Sequence, residues 1–236
     1  MTMNSWLEQQ WQSLLTADSQ DALLQQFIRV TQTFDFEYCT FGLRAPYPLN
    51  APKALIVSNY PAAWLQRYHE QNYLAVDPVV QHGLHCTTPL VWSSLPCRTP
   101  FWEEAAAFGI AHGWSQAQSN VQHFFGMLSL ARSSSAINDK ELAHKQAHLI
   151  WLTQLAYGGF YRFLAPELKS YVDVKLTPRE KEVLRWTADG NTTEQIAKKL
   201  HLSERTVKFH LQHTLEKLGA KNKTAAAVQA VLLGLI

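Results

Sequence analysis

A chain of 236 residues with a formal net charge of +2 is long enough for one or two domains. Hydrophobic residues make up 47% and charged residues 17%, which excludes an intrinsically disordered protein. Three cysteines without a CxxC pair exclude a disulfide framework, and neither a signal peptide nor an apolar run long enough to span a bilayer occurs. We therefore expect a soluble, cytoplasmic protein with no membrane partner.

Charge is distributed unevenly along the chain. Residues 175–236 hold eleven Lys and Arg against six Asp and Glu, a balance of +5, whereas residues 1–174 hold ten against thirteen, a balance of −3. A compact basic tail behind a mildly acidic body indicates a polyanionic partner at that end, although a solvated surface would carry the same charge. Residues 165–175 have no sustained periodicity and are predicted as a linker. The expected domains are therefore residues 1–164 and 176–236.

Taken in chain order, the first domain mixes helical and strand periodicities. Helical spacing predicts helices over residues 6–15, 21–34, 61–72, 101–110 and 138–163. Strand patterns cover residues 36–44, 54–59, 114–118 and 124–131, and a proline-rich turn at 45–52 separates the first two. Strands with helices on both sides predict an α-β-α sandwich, and thus an α+β class for the chain. These short runs do not determine whether the strands are antiparallel.

From Lys175 onward the pattern is purely helical, and its boundaries are clear. Thr177 is suited to cap a helix with proline at its first position and Glu180 at its third, and Asp189-Gly190 is suited to end it. Thr192 or Thr193 caps a second helix. Ser203 caps a third, over residues 204–218. Two short helices joined by a tight turn predict a helix-turn-helix, with all-α structure in this domain.

The third helix reveals its own orientation. Its buried stripe is predicted to contain Val207, Leu211, Leu215 and Leu218. The opposite face and its flank present Arg205, Lys208, Phe209 and Gln212. Arg and Lys can donate to guanine, Gln can pair with adenine, and Phe can contact a thymine methyl. The alternative is an ordinary three-helix packing unit, but this alternative does not explain an aromatic side chain, Phe209, on the outer face.

These residues resemble the signature of the LuxR family of transcription factors. The matching residues are LTPREKEVL at 176–184, Trp186, Gly190, Ile196-Ala197, SERTVKFH at 203–210 and Lys217-Leu218. The resemblance implies double-stranded DNA as a partner and a fourth helix, over residues 224–236, that supports dimerisation. From their positions we assign base reading to Arg205, Lys208 and Gln212. We assign phosphate contacts to Thr177, Thr193, Ser203, Lys217, Lys221 and Lys223.

The first domain resembles the autoinducer-binding domain of quorum-sensing LuxR regulators over most of residues 20–160. The matching residues are YPAAW at 60–64, Tyr68, NY at 72–73, DP at 77–78, Trp92, FWEEA at 101–105, Gly109, Gly113 and LSL at 128–130. Two further segments, RAPYPL at 44–49 and MLSLAR at 127–132, resemble orphan receptors of the pseudomonad type. The resemblance implies a five-stranded antiparallel sheet between helices, with an N-acyl-homoserine lactone bound between sheet and helices. Two apolar helices, predicted over residues 138–163 and 224–236, indicate a homodimer, which would bind a pseudo-palindromic promoter site. RNA polymerase is expected as a further partner.

The lactone offers one amide N–H, two carbonyl oxygens and a hydrocarbon tail. Following the resemblance, Asp77 would accept the amide proton and the Trp64 indole would donate to the lactone carbonyl. Tyr60 and Ser129 would donate to the acyl carbonyl, with Ser115 acting through water. The predicted walls are Tyr68, Trp92, Phe101, Ala105 and Ile110, with Met127 beside the acyl chain. Met127 is bulkier, and Leu65 less polar, than residues that some relatives carry, so chain length and 3-substitution stay unassigned.

Three other functions compete with this interpretation. A phosphorylated response regulator shares the tail, but the early carboxylates, such as Asp18 and Asp35, do not follow apolar strands. An enzyme is disfavoured because no GxSxG or HExxH motif occurs, and His144 with His148 forms an isolated i, i+4 pair. We expect no enzymatic activity, no cofactor and no metal. A LuxR-type solo receptor for another signal, such as a pyrone or other fatty-acid-derived molecule, stays open.

Overall fold

The structure, a computed structural model, describes residues 16–95, 99–169 and 174–236. The helix predicted at residues 6–15 and residues 170–173 of the predicted linker lie outside the described residues. The chain divides into two compact units, of which the first ends at Glu167 and the second comprises Leu168–Ile236 with two loops from earlier in the chain. The loops Ala45–Lys53 and Asn120–Phe124 group with the second unit.

The first unit is built on a five-stranded antiparallel sheet, as the resemblance implied. The strands are β1 (Tyr38–Arg44), β2 (Ala54–Ser58), β3 (Leu90–Val91), β4 (His112–Ser119) and β5 (Phe125–Arg132). Their order across the sheet is β2-β1-β5-β4-β3. Strand β3 was not predicted, because two residues are too few for alternation to be visible.

Helices cover both faces of this sheet. They are α1 (Gln20–Gln32), α2 (Ala62–Glu70), α3 (Pro78–His85), α4 (Pro100–Ala107) and α5 (Asp139–Lys169). Single turns of 3-10 helix lie at Tyr73–Ala75 and Trp92–Ser94. Helix α3 was missed by the sequence analysis. No helix among the described residues is both long and apolar enough to cross a membrane.

The predicted end of the long helix was wrong. Helix α5 continues past residue 163, through Pro166, to Lys169, so residues 165–169 of the predicted linker are helical. The cause is packing, because Leu164, Ala165 and Leu168 are buried and outweigh the hydrogen bond that the proline removes.

The two faces of the sheet bury different layers, as strand alternation requires. Cys39, Phe41 and Leu43 of β1 are buried. The Phe41 ring stacks on Phe160 of α5 at 5.1 Å, and Phe160 contacts Phe27 of α1 at 5.2 Å. The opposite face packs against α2, α3 and α4 through an apolar cluster that includes Trp64, Val79 and Phe101. The predicted α-β-α sandwich is therefore confirmed.

The second unit is helical throughout its regular elements. Its helices are α6 (Pro178–Ala188), α7 (Thr193–Leu200), α8 (Glu204–Leu218) and α9 (Lys223–Leu232). Thr177 and Thr192 form capping boxes at the starts of α6 and α7, and Ser203 caps α8. The cap of α7 is thus Thr192, and Thr193 is its first helical residue. Each such cap contributes about 1 kcal/mol to the free energy of unfolding.

Small apolar clusters hold these helices together. Val183, Ile196 and Val207 join α6, α7 and α8, while Leu184 and Leu218 pack with alanines of α9. The predicted stripe on α8 is confirmed as its inner face, with Val207 and Leu218 buried and Leu211 and Leu215 half-buried. Thr214 is also fully buried there, where its hydroxyl donates to the carbonyl oxygen of His210.

Candidate ligand cavity and DNA-binding surface

A cavity lies between the sheet and helices α2, α3 and α4. Most of its lining side chains are apolar, as is usual for a small-molecule site. The sequence analysis proposed eleven ligand-binding residues, and the structure brings all except Ser115 to the wall of this cavity. The ten are Tyr60, Trp64, Tyr68, Asp77, Trp92, Phe101, Ala105, Ile110, Met127 and Ser129.

Asp77 is the buried carboxylate of the cavity, and its two oxygens have different partners. Oδ1 accepts from the backbone N–H groups of Val79 at 2.8 Å and Val80 at 3.4 Å, which caps α3. Oδ2 accepts from the Tyr68 hydroxyl at 2.9 Å. Burial raises the pKa of Asp77 from 3.8 to about 6, although these hydrogen bonds oppose the shift. The carboxylate is therefore partly desolvated and can serve as a strong acceptor.

Donors surround this carboxylate. Burial raises the pKa of Tyr60 and of Tyr68, and the charge of Asp77 adds to both effects, so both hydroxyls keep their protons. Trp64 is 2% exposed and lines the cavity, and its indole N–H is a donor only. One end of the cavity thus combines one acceptor with several donors.

Ser115 does not line the cavity but lies behind Ser129, which does. The Trp92 indole N–H donates to Ser115 Oγ at 2.9 Å, and Ser115 Oγ donates to Ser129 Oγ at 2.8 Å. The sequence analysis expected Ser115 to act through water, whereas in the structure it contacts Ser129 directly. Because Ser129 accepts this bond, its own proton is available to a carbonyl group in the cavity.

Several lining residues escaped the sequence analysis. Thr40, Gly42 and Arg44 line the cavity from β1, and Phe125 lines it from β5. Their signal was the alternation of β1 and of β5, because every second residue of a strand faces the same side. Alternation alone does not indicate which side of the strand faces the cavity.

An ion pair ties α2 to α4 beside the cavity. Arg67 Nε donates to Glu104 Oε2 at 2.8 Å, and Arg67 Nη2 donates to Oε1 at 3.0 Å. These bonds, with a further one from Tyr73, lower the pKa of Glu104 to about 2. The pair joins two helices that carry cavity residues, and its partly exposed position makes it an orienting contact more than a source of stability.

The predicted base readers lie on the outer face of α8. Arg205, Lys208 and Gln212 are exposed. Lys208 Nζ lies 3.8 Å from Glu204 Oε2, and Gln212 Nε2 donates to Glu216 Oε1 at 2.9 Å. Phe209 is 57% exposed on the same helix, and its ring contacts His213 at 4.2 Å. The helix therefore presents donors, an amide and an exposed ring on one side.

Most of the predicted phosphate contacts lie at helix ends. Thr177 and Ser203 are caps, Thr193 begins α7, Lys223 begins α9, and Lys221 is exposed before it.

Lys217 is placed differently from the other lysines. Its Nζ donates to both oxygens of Glu180, at 2.7 and 2.8 Å. Burial disfavours the charge on Glu180, but Lys217 and Thr177 outweigh it and lower the pKa of this carboxyl. Lys217 thus connects α8 to the start of α6.

Two family models match the chain. The model described as "Autoinducer binding domain" matches residues 19–158, and "Bacterial regulatory proteins, luxR family" matches residues 174–230. Among curated proteins, the transcriptional activator protein AnoR of Acinetobacter nosocomialis is 39% identical over 238 residues, covering 99% of this chain and 100% of AnoR.

Solved structures agree with these matches. Escherichia coli SdiA in complex with octanoyl-rac-glycerol has a TM-score of 0.84 and 30% identity, covering 100% of this chain and 97% of that one. The N-acylhomoserine lactone dependent LuxR family factor CepR2 of Burkholderia cenocepacia has a TM-score of 0.64 and 28% identity. That match covers 69% of this chain and 98% of the CepR2 chain.

Proposed function

Because the chain belongs to the LuxR family of quorum-sensing transcriptional regulators, we propose that it binds an N-acyl-homoserine lactone and, as a homodimer, regulates promoters with pseudo-palindromic sites. Ligand binding and dimerisation are assigned to residues 1–164, and DNA binding to residues 176–236. The protein acts as a cytoplasmic regulator without enzymatic activity, and RNA polymerase is its further partner at the promoter.

One observation carries the ligand assignment. Tyr60, Trp64, Asp77 and Ser129 line a single cavity whose other walls are mainly apolar. A lactone head group needs an acceptor for its amide N–H and donors for its two carbonyl oxygens, and its tail needs an apolar wall. Asp77 supplies the acceptor, Trp64 a donor for the lactone carbonyl, and Tyr60 and Ser129 donors for the acyl carbonyl. The lactone dependence of the similar protein CepR2 adds support.

A second ligand class is favoured by one comparison. The similar protein SdiA was solved with octanoyl-rac-glycerol, an acylated polyol without an amide. The same cavity end could accept a glycerol hydroxyl at Asp77 and donate to the ester carbonyl from Trp64 or Ser129. A fatty-acid-derived signal other than a lactone is therefore the alternative.

A ligand panel tests both assignments. The protein is purified after expression with and without lactones of four to twelve acyl carbons, and retained molecules are identified by mass spectrometry. A ligand at a hundred times its Kd should add about 2.7 kcal/mol to the free energy of unfolding and raise Tm by several degrees. Octanoyl glycerol is tested in parallel, and a rise in Tm with this compound alone favours the alternative. No shift with any lactone contradicts the primary assignment.

The DNA assignment rests on the geometry of α8. Arg205, Lys208 and Gln212 are exposed on a helix opposite its buried stripe, which is the position of a reader helix in the major groove. Thr177, Thr193, Ser203, Lys221 and Lys223 are assigned to the phosphate backbone. Lys217 was predicted among the phosphate contacts, but it is bonded to Glu180. We therefore propose that its main role is to position α8, and that a phosphate contact is secondary.

A further inference from the structure

Helix α2 forms the wall of the cavity beside Asp77. Its residues Trp64, Leu65 and Tyr68 line the cavity, and the Tyr68 hydroxyl donates to Asp77 Oδ2 at 2.9 Å. Trp64 and Tyr68 contact the Phe101 ring of α4, with ring centroids 5.7 and 6.2 Å apart. A head group bound at Trp64 and Asp77 would be covered by α2. A movement of this helix therefore gives a direct path to the polar end of the cavity.

The two ends of α2 are suited to such a movement. Pro61 precedes the helix and makes no side-chain cap hydrogen bond, whereas α3 is capped by Asp77. Asn72 follows the helix with a φ of 51°, in the left-handed region that few residues other than glycine adopt. Hinges are a few residues at the ends of elements that absorb a change in backbone angles. Pro61 and Asn72 thus delimit a helix of nine residues that can rotate as one body.

One ion pair holds α2 to α4. Arg67 donates to both oxygens of Glu104, at 2.8 and 3.0 Å, and no other ion pair joins α2 to another element in the part of the chain that the structure describes. Burial and a bond to Glu104 raise the pKa of Tyr73, so its hydroxyl stays protonated and connects the 3-10 turn after α2 to the same carboxylate. All three side chains lie outside the cavity wall.

This ion pair is exposed enough to open and re-form. The side chains of Arg67 and Glu104 are 42% and 33% exposed, so water and salt compete with the pair. Contacts of this kind break in local openings that leave the rest of the fold intact. The pair therefore adds little to the global stability but affects how often α2 detaches from α4.

We propose that α2 is a hinged lid over the polar end of the cavity and that Arg67 and Glu104 are positioning residues that latch it. This inference rests on the proposed function. The latch is made whether the cavity is empty or filled, so it sets the rates at which the ligand enters and leaves and not the affinity. The loss of one exposed ion pair changes an opening equilibrium by about two- to fivefold. Head-group residues such as Asp77 act differently, because their loss lowers the affinity.

Stopped-flow kinetics with octanoyl homoserine lactone test the lid. The full chain is prepared as wild type, as Glu104→Gln, as Arg67→Glu, and with both Arg67→Glu and Glu104→Arg, which restores an ion pair with reversed charges. Glu182→Gln is the matched control, because it removes a similarly exposed ion pair with Arg179 in α6. Tryptophan fluorescence reports binding, since Trp64 lines the cavity.

In Glu104→Gln, the association and dissociation rate constants should both rise about two- to fivefold, so that Kd stays nearly constant. Arg67→Glu should raise both further, because two carboxylates then repel each other. The double exchange should return both rate constants toward the wild-type values, and Glu182→Gln should equal the wild type. Raising salt from about 0.05 to about 0.5 M should speed both steps in the wild type and much less in Glu104→Gln, because salt screens the pair.

Hydrogen exchange tests the lid without any ligand. The backbone amides of α2 should exchange faster in Glu104→Gln than in the wild type, by the same two- to fivefold factor of about one exposed ion pair. The amides of α1, which Ser19 caps and which lies on the other face of the sheet, should be unchanged.

The outcomes separate the lid from the proposed function. If no lactone binds the wild type, the proposed function is overturned, and hydrogen exchange of α2 still decides whether the latch holds this helix. If lactones bind and their rate constants are unchanged in Glu104→Gln and Arg67→Glu, the lid is overturned, and Ile56, 43% exposed on the cavity wall, marks the other route. A fall in affinity through faster dissociation alone also overturns the lid, because Glu104 would then support only the bound state.

Discussion

At the scale of single residues, Asp77 is placed to serve the fold and the ligand with different atoms. Oδ1 caps α3, and Oδ2 accepts from Tyr68 at the cavity wall. In the proposed function, Oδ2 is the oxygen that would accept the ligand amide N–H, in addition to the bond it accepts from Tyr68. An asparagine can keep the cap, since Asn and Asp are comparable in this role.

We predict that lactone affinity falls as pH falls through about 6. The raised pKa of Asp77 means that the carboxyl is protonated below that pH, and a protonated carboxyl is a weaker acceptor for the amide N–H. In the protein without ligand, the same raised pKa makes stability fall, not rise, with increasing pH. The folded state binds more protons than the unfolded state between pH 3.8 and about 6, so Asp77 stabilises the fold less as pH rises through that window.

Asp77→Asn is the control for this prediction. Its lactone affinity should be at least about tenfold lower at neutral pH, because a charged hydrogen bond is lost, and should not vary with pH near 6. Its Tm should stay close to that of the wild type, whereas Asp77→Ala should lose about 1 kcal/mol of stability with the cap. Calorimetry at pH 5, 6 and 7.5 provides the measurement. Equal affinity in Asp77→Asn would remove this residue from the site.

At the scale of elements, three lysines in or just after α8 should have separable roles. Lys208 is exposed on the helix, Lys221 is exposed beyond its end, and Lys217 is bonded to Glu180, whose side chain is 4% exposed. We predict that Lys208→Ala costs about 1–3 kcal/mol on the cognate site and relaxes one base preference. Lys221→Ala should weaken cognate and scrambled duplexes alike and lower the salt slope by about one unit.

Lys217→Ala should act mainly on the fold. It leaves the buried Glu180 carboxylate without its cation, and we expect a loss of about 1–3 kcal/mol in unfolding free energy, discounted because Lys217 is 35% exposed. The three variants are distinguished by two measurements: DNA binding across a salt series, and thermal unfolding. If Lys217→Ala has unchanged stability but a lower salt dependence of DNA affinity, Lys217 is a phosphate contact and not a positioning residue.

The same elements show what a sequence can predict. Helices α6, α7 and α8 were predicted closely because the signals for their starts are local. A capping residue directly precedes each helix: Thr177, Thr192 and Ser203. Helix α3 was missed although Asp77-Pro78 is a start signal of the same kind. Its eight residues pack through Val79, Val80 and Gly83 onto a sheet whose strands are distant in the chain.

The candidate site divides in a similar way. The head-group residues were predicted from the family resemblance and lie together around the cavity. The lining residues Thr40, Gly42 and Arg44 of β1 were not, because their place at the cavity depends on the pairing of β1 with β2 and β5. The Lys217–Glu180 contact likewise joins residues 37 positions apart, which no local pattern reveals.

At the scale of the whole molecule, a two-fold DNA site calls for two chains. Val228 and Val231 of α9 are 39% and 47% exposed, on a helix that the family resemblance assigns to dimerisation. A symmetric interface places the same residues of both chains against each other, so a charge introduced there is repelled by its own copy.

We predict that sedimentation of ligand-bound protein gives two chains on a duplex with two half-sites. Val228→Glu combined with Val231→Glu should lower affinity for this duplex and leave binding to a single half-site unchanged. Val121→Glu, at a valine that is 89% exposed on a loop, is the matched control and should behave as the wild type. One chain per duplex would contradict the dimer.

The double role of Asp77 has a consequence for how such a receptor can diverge. One carboxylate caps α3 through Oδ1 and bonds Tyr68 at the cavity wall through Oδ2, so a substitution that abolishes both roles disturbs the fold and the cavity together. A lineage that changes its signal is therefore expected to do so through other residues of the cavity wall and to keep this aspartate.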